Sequence, residues 1–407
     1  TLVRLIENHR ENLVVVLAGY TNEMEKFLES NPGLSSRFPL NITFPDYTAE
    51  QLAQMTDIMA KSKGFVVSEE VKTALVSFYE KKQIPGKNDS GNGRLVRNTV
   101  ENAIRNQSVR IVEHPDLRVE ELNRLTLEDF QLAAVEKKES ALKELEQVIG
   151  LEKIKEFVRS LSAQIEIAKK REELGLPKAG AQSLHMVFKG DPGTGKTMIA
   201  RILAKRFKEL GVIKQDKLVE TDRSGLVAGY VGQTALKTRK VLEKALGGVL
   251  FIDEAYALLG SNNDFGQEAI DTIVKFMDDH RENIIVILAG YDEDMEQFLD
   301  SNAGLRSRFP TIIDFPDYTP HELLQISRLT FKAKGYEVSS DTEAALLKRF
   351  YQSKQIKNAG NGRLARNLCE LAIRHHAVRV SNINNPSVEQ LVTILPQDIS
   401  EVGEQNG

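Results

Sequence analysis

The sequence predicts an α/β protein: a three-layer α/β/α arrangement around a parallel sheet, followed by a small all-helical subdomain and preceded by the trailing half of a second such module. Three observations carry this. Short apolar runs, "LHMVF", "GVLFID" and "NIIVILAG", alternate with stretches of helical apolar spacing, the pattern of parallel strands joined by crossover helices. After Pro316 the spacing is helical throughout. The chain also repeats itself: Thr1–Tyr47 aligned on Thr272–Tyr318, an offset of 271, is identical at 28 of 47 positions, including "HREN", "LAGY" and "FPDY". Self-similarity of that density marks a duplicated structural unit.

Taken in order, residues 1–45 read as the C-terminal part of a first large subdomain and 46–134 as its helical lid. The match runs on, with small gaps, through "GNGRLVRN" at Gly91–Asn98 and "GNGRLARN" at Gly360–Asn367. "LVVVLAG" reads as a buried strand, although in a half-module without sheet neighbours its apolar edge is expected to be exposed. The start at Thr1, in mid-pattern, is expected to be a cut, with a further phosphate-binding loop about 80 residues upstream if the spacing repeats. "LTLEDFQLAAVEKKESALKELEQVIGLEKIKEFV" has helical spacing with no Pro or Gly before Gly150 and predicts a helical linker at 135–144. A second module follows: a large subdomain over 145–316, a helical lid over 317–402, and a tail, 403–407. In it a strand, a glycine-rich turn and a helix from Lys196 to Leu210 succeed one another, with Gly211 placed to end the helix.

Composition narrows the function classes. With 41% hydrophobic and 28% charged residues the chain belongs with ordered soluble proteins. A net charge of −4 gives no general attraction to nucleic acid or acidic membranes. The longest apolar runs fall far short of the roughly 20 residues a membrane span needs. The single cysteine, Cys369, cannot pair within the chain, so a reducing, cytoplasmic compartment is expected.

"GDPGTGKT", Gly190–Thr197, matches the full G-x-x-x-x-G-K-[ST] pattern. Backbone N–H groups of Asp191, Pro192's neighbours, Gly193, Thr194 and Gly195 are expected to wrap the phosphates of ATP, with Met198 following on the helix. Lys196 reaches the β- and γ-phosphates and the Thr197 hydroxyl holds Mg²⁺. "VLFIDEA", Val249–Ala255, ends a strand in two carboxylates, the first of them, Asp253, 57 residues after Lys196. Asp253 is expected to ligate the magnesium through water and Glu254 to deprotonate the attacking water. The pair also suits a helix N-terminus, and both roles can coexist.

"NAGLRSRFP" supplies Arg306 and Arg308. An arginine lent by a neighbouring subunit stabilises charge on a phosphoryl transition state. Arg308 is preferred because it matches Arg37 in the first repeat, whereas Arg306 matches Ser35. In "GNGRLARN", Arg363 is a candidate to touch the γ-phosphate and report its loss to the lid, and its counterpart is Arg94. An ordinary solvated basic face accounts for the same spacing. "LVAGYVGQT" presents Tyr230, Val231 and Gly232 on a loop, which suits gripping an extended peptide; a tyrosine packed in the fold is the alternative.

Together these elements resemble the AAA+ ATPases, P-loop NTPases, and specifically the CbbX/CfxQ-like group, which includes red-type Rubisco activase, the stage V sporulation ATPase and type VII secretion ATPases. The resemblance covers Leu145 to about Val402 as a whole module and Thr1 to about Ala134 as the trailing half of another. It implies ATP-driven rings, commonly hexamers, with nucleotide at the subunit interface, Ile149 and Gly150 beside Leu151 flanking the adenine, and Tyr230–Gly232 as an aromatic pore loop. Many relatives place Asn or Thr after the fourth strand to position water; "LAGY" offers Tyr291 instead.

The expected activity is therefore ATP hydrolysis, with Mg²⁺, coupled to remodelling of an unidentified protein client. A nucleotide-switched assembly scaffold is one alternative, opposed by the intact Asp253–Glu254 pair. A nucleic-acid motor is another, opposed by the lack of an appended DNA-binding motif and of lysine at the expected pore contact.

Overall fold

The computed structural model describes residues 12–29, 32–83, 91–113, 122–132, 140–177, 183–230, 232–259, 265–353 and 360–399. They fall into two compact units, Thr1–Glu136 and Lys137–Gly407.

In the first unit, helix α1 (Thr21–Glu29) precedes α2 (Ala49–Ser62), strand β1 (Val66–Val67), α3 (Glu69–Lys82), α4 (Asn92–Glu113) and strand β2 (Arg124–Leu125). Thr48 and Gln51 form a reciprocal capping box that starts α2. Leu52, Val71, Leu75, Tyr79, Val96 and Val100 make the core. The Tyr79 hydroxyl, buried with them, is paired at 2.6 Å with Thr56 Oγ1.

Two expectations for this unit change. "LVVVLAG" forms no strand: Val14 is 89% and Val16 83% exposed. A strand needs ladder partners, and among the described residues none pairs with it. The described residues after α4, 122–132, are not helical either. Arg124–Leu125 pairs in parallel with β1, and Thr126–Gln131 is a turn that Asp129 organises by accepting the Thr126 N–H at 2.8 Å. Arg110 grips the same carboxylate with two bonds of 2.8 Å. Local side-chain bonds of this kind compete with helix formation. The expected linker, 135–144, is helical from Ala141; 135–139 lies outside the described residues.

In the second unit, α5 (Ala141–Glu146) and α6 (Glu152–Glu173) lead into β3 (Met186–Lys189), α7 (Lys196–Glu209), β4 (Leu218–Thr221), α8 (Thr234–Ala245), β5 (Val249–Ile252), α9 (Phe265–Asp279), β6 (Ile285–Gly290), α10 (Asp292–Asp300), α11 (Ala303–Arg308) and β7 (Thr311–Asp314). The five strands are parallel in the order β4-β5-β6-β3-β7. All four residues of β5 and all six of β6 are buried, as strands covered by helices on both faces must be. From β3 the chain crosses to the edge strand β4, steps back through β5 and β6 to one flank of β3, then passes to β7 on its other flank. That reversal opens a crevice at the carboxyl ends of β3 and β6, where open α/β sheets bind ligands.

The lid follows as α12 (Pro320–Ala333), β8 (Glu337–Val338), α13 (Ser340–Ser353), α14 (Asn361–Ser381) and β9 (Thr393–Ile394). It is helical apart from the parallel β8–β9 pair, where a wholly helical segment was expected. One apolar core runs from Phe188 and Phe251 in the sheet through Tyr318 to Phe331 and Phe350 in the lid. Among the described residues no helix is long and apolar enough to cross a membrane.

Candidate nucleotide site

Register in the sheet brings the motifs together. β3 pairs with β6 from Met186↔Ile287 to Lys189↔Gly290, so both strands end level, and Gly190 N–H donates to Gly290 O at 3.1 Å. β5 ends one strand away at Ile252, delivering Asp253 and Glu254. The result is a cleft of about 180 Å³ lined by Pro192, Gly193, Gly195, Lys196, Thr197, Met198, Asp253, Glu254, Tyr291, Arg363 and Arg366.

The loop of "GDPGTGKT" is held by its own side chains. Thr194, fully buried, donates from Oγ1 to Asp191 O at 2.7 Å. Thr194 therefore shapes the loop with its side chain, and neither Thr194 nor Asp191 is among the residues lining the cleft. Lys196 Nζ donates to Gly190 O at 2.6 Å and to Asp191 O at 2.9 Å, curled back on the loop. Burial pulls its pKa below the usual lysine value, against the attraction of Asp253. Gly193 is a required glycine: its φ is +80°, and a Cβ there would lie 2.4 Å from Gly360 O.

Glu254 has φ +48°. A left-handed non-glycine residue costs about 1–2 kcal/mol, and such strain clusters at functional positions. Its neighbour Asp253 accepts the Glu254 N–H at 3.1 Å. Glu254 also lines a second cavity of about 480 Å³ with Asp222, Ser224, Val227, Ala228 and Gly229. These residues lead directly to Tyr230, which is 74% exposed. Gly232 follows at φ +75°, and Val231 lies outside the described residues. Beside Glu254, the Tyr256 and Tyr291 rings stand 5.6 Å apart, and burial with the Glu254 charge pushes the Tyr256 hydroxyl up to about 12. Tyr291 thus faces the cleft where an amide or hydroxyl side chain was the commoner expectation.

The lid closes the other side. Gly362 N–H, in the first turn of α14, donates to Gly193 O at 3.1 Å, so the lid helix stands on the phosphate loop itself. Asn361, at φ +45°, locks this corner by donating to Asp317 (2.7 Å) and accepting the Tyr318 N–H (3.0 Å). The first unit repeats the clamp with Asn92, Asp46 and Tyr47, at 2.6 and 3.1 Å.

A third, more apolar cavity of about 500 Å³ adjoins the cleft, sharing Gly193, Gly195, Met198, Gly362 and Arg366 with it. Val148, Ile149, Ile202, Tyr318, Ile326 and Leu329 form its walls. Gly150 and Leu151 both have positive φ, 64° and 59°, in the turn that follows Ile149. Such a chamber, apolar with a few polar groups and continuous with a phosphate cleft, suits a purine base.

Of the expected residues, Lys196, Thr197, Asp253, Glu254 and Arg363 meet in the cleft, and Ile149 lines the apolar chamber. Thr197 and Asp253 offer one hydroxyl and one carboxylate, a donor set that fits Mg²⁺ keeping several of its waters. Arg308 is elsewhere. Its Nε donates to Asp278 Oδ1 at 3.1 Å, its Nη2 to Asp278 Oδ2, and its Nη1 to Gly304 O at 3.0 Å. Arg306 pairs with Glu296 and Asp300. In the first unit Arg37 donates to Gly33 O at 3.0 Å, and Arg94 is exposed on α4. Sequence reasoning left Arg366 and Tyr318 out of the site. Arg366 is one helical turn from Arg363, and "FPDY" recurs in both repeats, so each carried a signal.

Residues 186–317 match the family model described as ATPase family associated with various cellular activities (AAA). The AAA lid domain matches twice, at 48–141 and 319–406. The chain is 43% identical over 280 residues to stage V sporulation protein K of Bacillus subtilis (strain 168), covering 67% of this chain and 87% of that protein. It is 40% identical over 258 residues to the protein CfxQ homolog of Trieres chinensis, covering 62% and 88%. It is 42% identical over 273 residues to ESX-1 secretion system protein EccA1 of Mycobacterium leprae (strain TN), covering 63% of this chain but only about half, 48%, of that protein.

Proposed function

The chain belongs to the AAA ATPase family, within its CbbX/CfxQ-like group, and from that premise we propose that it hydrolyses ATP at the subunit interfaces of a ring, as a hexamer, and uses the energy to remodel a protein partner gripped by Tyr230. One observation carries the proposal: Lys196, Thr197, Asp253, Glu254 and Arg363 line a single cleft at the carboxyl edge of the sheet.

In this reading the loop N–H groups and the dipole of α7 bind the phosphates, and Lys196 exchanges its loop carbonyls for phosphate oxygens. Magnesium, when bound through Thr197 and Asp253, neutralises charge developing on the phosphates. Glu254 orients water and takes its proton, and Tyr291 shapes the space that water occupies. Arg363 and Arg366 touch the nucleotide from the lid. Arg308, paired with Asp278 away from its own cleft, serves the neighbouring subunit. Glu254 also borders the cavity under the Tyr230 segment, which gives hydrolysis a direct mechanical neighbour.

The test is a Glu254→Gln variant used as a trap. It is expected to bind ATP, to lose hydrolysis by about 100-fold or more, and to retain a protein client on pull-down. Wild-type turnover by Glu254→Gln would remove the base assignment. Recovery of nucleic acid instead of protein would replace remodelling with a nucleic-acid motor, and an ATP-dependent assembly with no client and no turnover in the parent chain would favour a scaffold.

A further inference from the structure

The pairing of Arg308 has a specific geometry. Asp278, near the end of α9, meets the guanidinium with both oxygens, Oδ1 to Nε at 3.1 Å and Oδ2 to Nη2. Gly304 O takes Nη1 at 3.0 Å, and the Arg308 carbonyl accepts the Ser183 hydroxyl at 2.8 Å. Main chain and side chain of Arg308 are thus both tied, while its side chain stays 28% exposed. A guanidinium has five N–H donors; the bidentate carboxylate, Gly304 O and, at 3.5 Å, the Ser307 hydroxyl take four of them, which leaves one on Nη2 for another acceptor. Planar fork pairing of this kind orders the side chain before that acceptor arrives. The repeat carries the same logic: Arg37 Nη1 donates to Gly33 O at 3.0 Å, as Arg308 does to Gly304 O. In sequence, Glu7 stands where Asp278 does, so an acid is written at this position twice.

We propose that Asp278 is the positioning residue for the arginine that serves the next subunit: it clamps Arg308 in the presented pose, so that the neighbour's phosphate meets a pre-ordered guanidinium with an Nη2 N–H to donate rather than a mobile side chain. This rests on the reading of Arg308 as a finger acting between subunits. Holding a catalytic group in place governs kcat more than substrate binding.

The experiment measures steady-state ATPase activity of the full chain as single variants and as mixtures. Arg308→Ala alone tests the finger: turnover at the parent rate overturns that reading and this proposal with it. Asp278→Asn is expected to lower kcat about 10- to 100-fold with KM changed less than about twofold, and Asp278→Glu to recover most of the loss, as Glu7 suggests. Mixing locates the effect. Subunits carrying Glu254→Gln supply a finger but no base, and subunits carrying Arg308→Ala supply a base but no finger, so together they regain activity. Adding Asp278→Asn to the first partner should abolish the rescue; adding it to the second should not. If Arg308→Ala is inactive while Asp278→Asn keeps or raises the parent kcat, or harms both partners equally, the positioning role is overturned and the finger stands. Absence of any rescue on mixing refutes the action between subunits.

Discussion

Replacing Gly362 by alanine isolates the contact between lid and phosphate loop. The backbone at 362 is ordinary helix, so the residue itself tolerates a Cβ, but that carbon would lie 2.9 Å from Gly193 O. This oxygen is the one that accepts the Gly362 N–H at 3.1 Å. The same position in the first unit, Gly93, has a clear surround: its nearest neighbour would be Met55 Cε at 3.7 Å. Alanine for glycine in a compatible conformation stabilises by about 0.4–1 kcal/mol through the unfolded chain. Gly93→Ala should therefore gain that amount. Gly362→Ala has the same gain, offset by about 1 kcal/mol for a weakened hydrogen bond, and leaves stability near the parent value. The cost falls on docking of the lid, so ADP affinity should drop about fivefold or more. Calorimetric unfolding and fluorescent-ADP titration of both variants give the comparison. If Gly362→Ala rises in Tm as Gly93→Ala does and binds ADP like the parent, the lid is not seated by this contact.

Two further outcomes follow from buried and bridging groups. His185 is 6% exposed, and its Nδ1 accepts the Val286 N–H at 3.0 Å. Burial pulls its pKa down to about 4 from 6.5, with Asp278 opposing. A depressed histidine contributes stability that is fully present above about pH 6.5 and is lost as pH falls toward about 4, worth roughly 3 kcal/mol for 2.5 pH units at 1.36 kcal/mol each. Thermal melts across that window should fall less steeply for His185→Gln; parallel curves would exclude His185 as the source. Arg366 borders both the phosphate cleft and the apolar chamber, whereas Arg363 borders the cleft alone. Arg366→Ala should weaken ADP and ATP alike by about 10- to 100-fold, the worth of a charge-assisted hydrogen bond, while Arg363→Ala should affect ATP more than ADP. Equal ADP affinity in Arg366→Ala and parent would remove Arg366 from the site.

Chemistry written in contiguous residues is legible in the sequence alone. "GDPGTGKT" and "VLFIDEA" carry their own strand and turn, and the structure sets Lys196, Thr197, Asp253 and Glu254 around one cleft. The apolar chamber was less so, because Val148, Ile202, Ile326 and Leu329 come from four distant segments that only folding assembles. Strands β4, "LVET", and β7, "TIID", escaped because charged and partly exposed residues dilute the apolar run. Two-residue strands such as β8 and β9 leave no periodicity to read. The segment Leu125–Leu132 imitates helical spacing, yet Asp129 takes the Thr126 N–H and folds it into a turn. "LVVVLAG" shows the converse: apolar character is a property of the run, whereas being a strand requires a neighbour.

The seating of the lid helix has a mechanical consequence. Helix α14 is 21 residues long, about 30 Å at 1.5 Å per residue, and its foot rests on Gly193 through Gly362. It is a lever whose fulcrum is the phosphate loop. A tilt of about 5° at the foot would move the far end by about 2.5 Å over that length. Its far end is also tied down: Arg379 grips Asp398 with bonds of 2.9 and 2.8 Å, which would pass any such tilt to the rest of the lid.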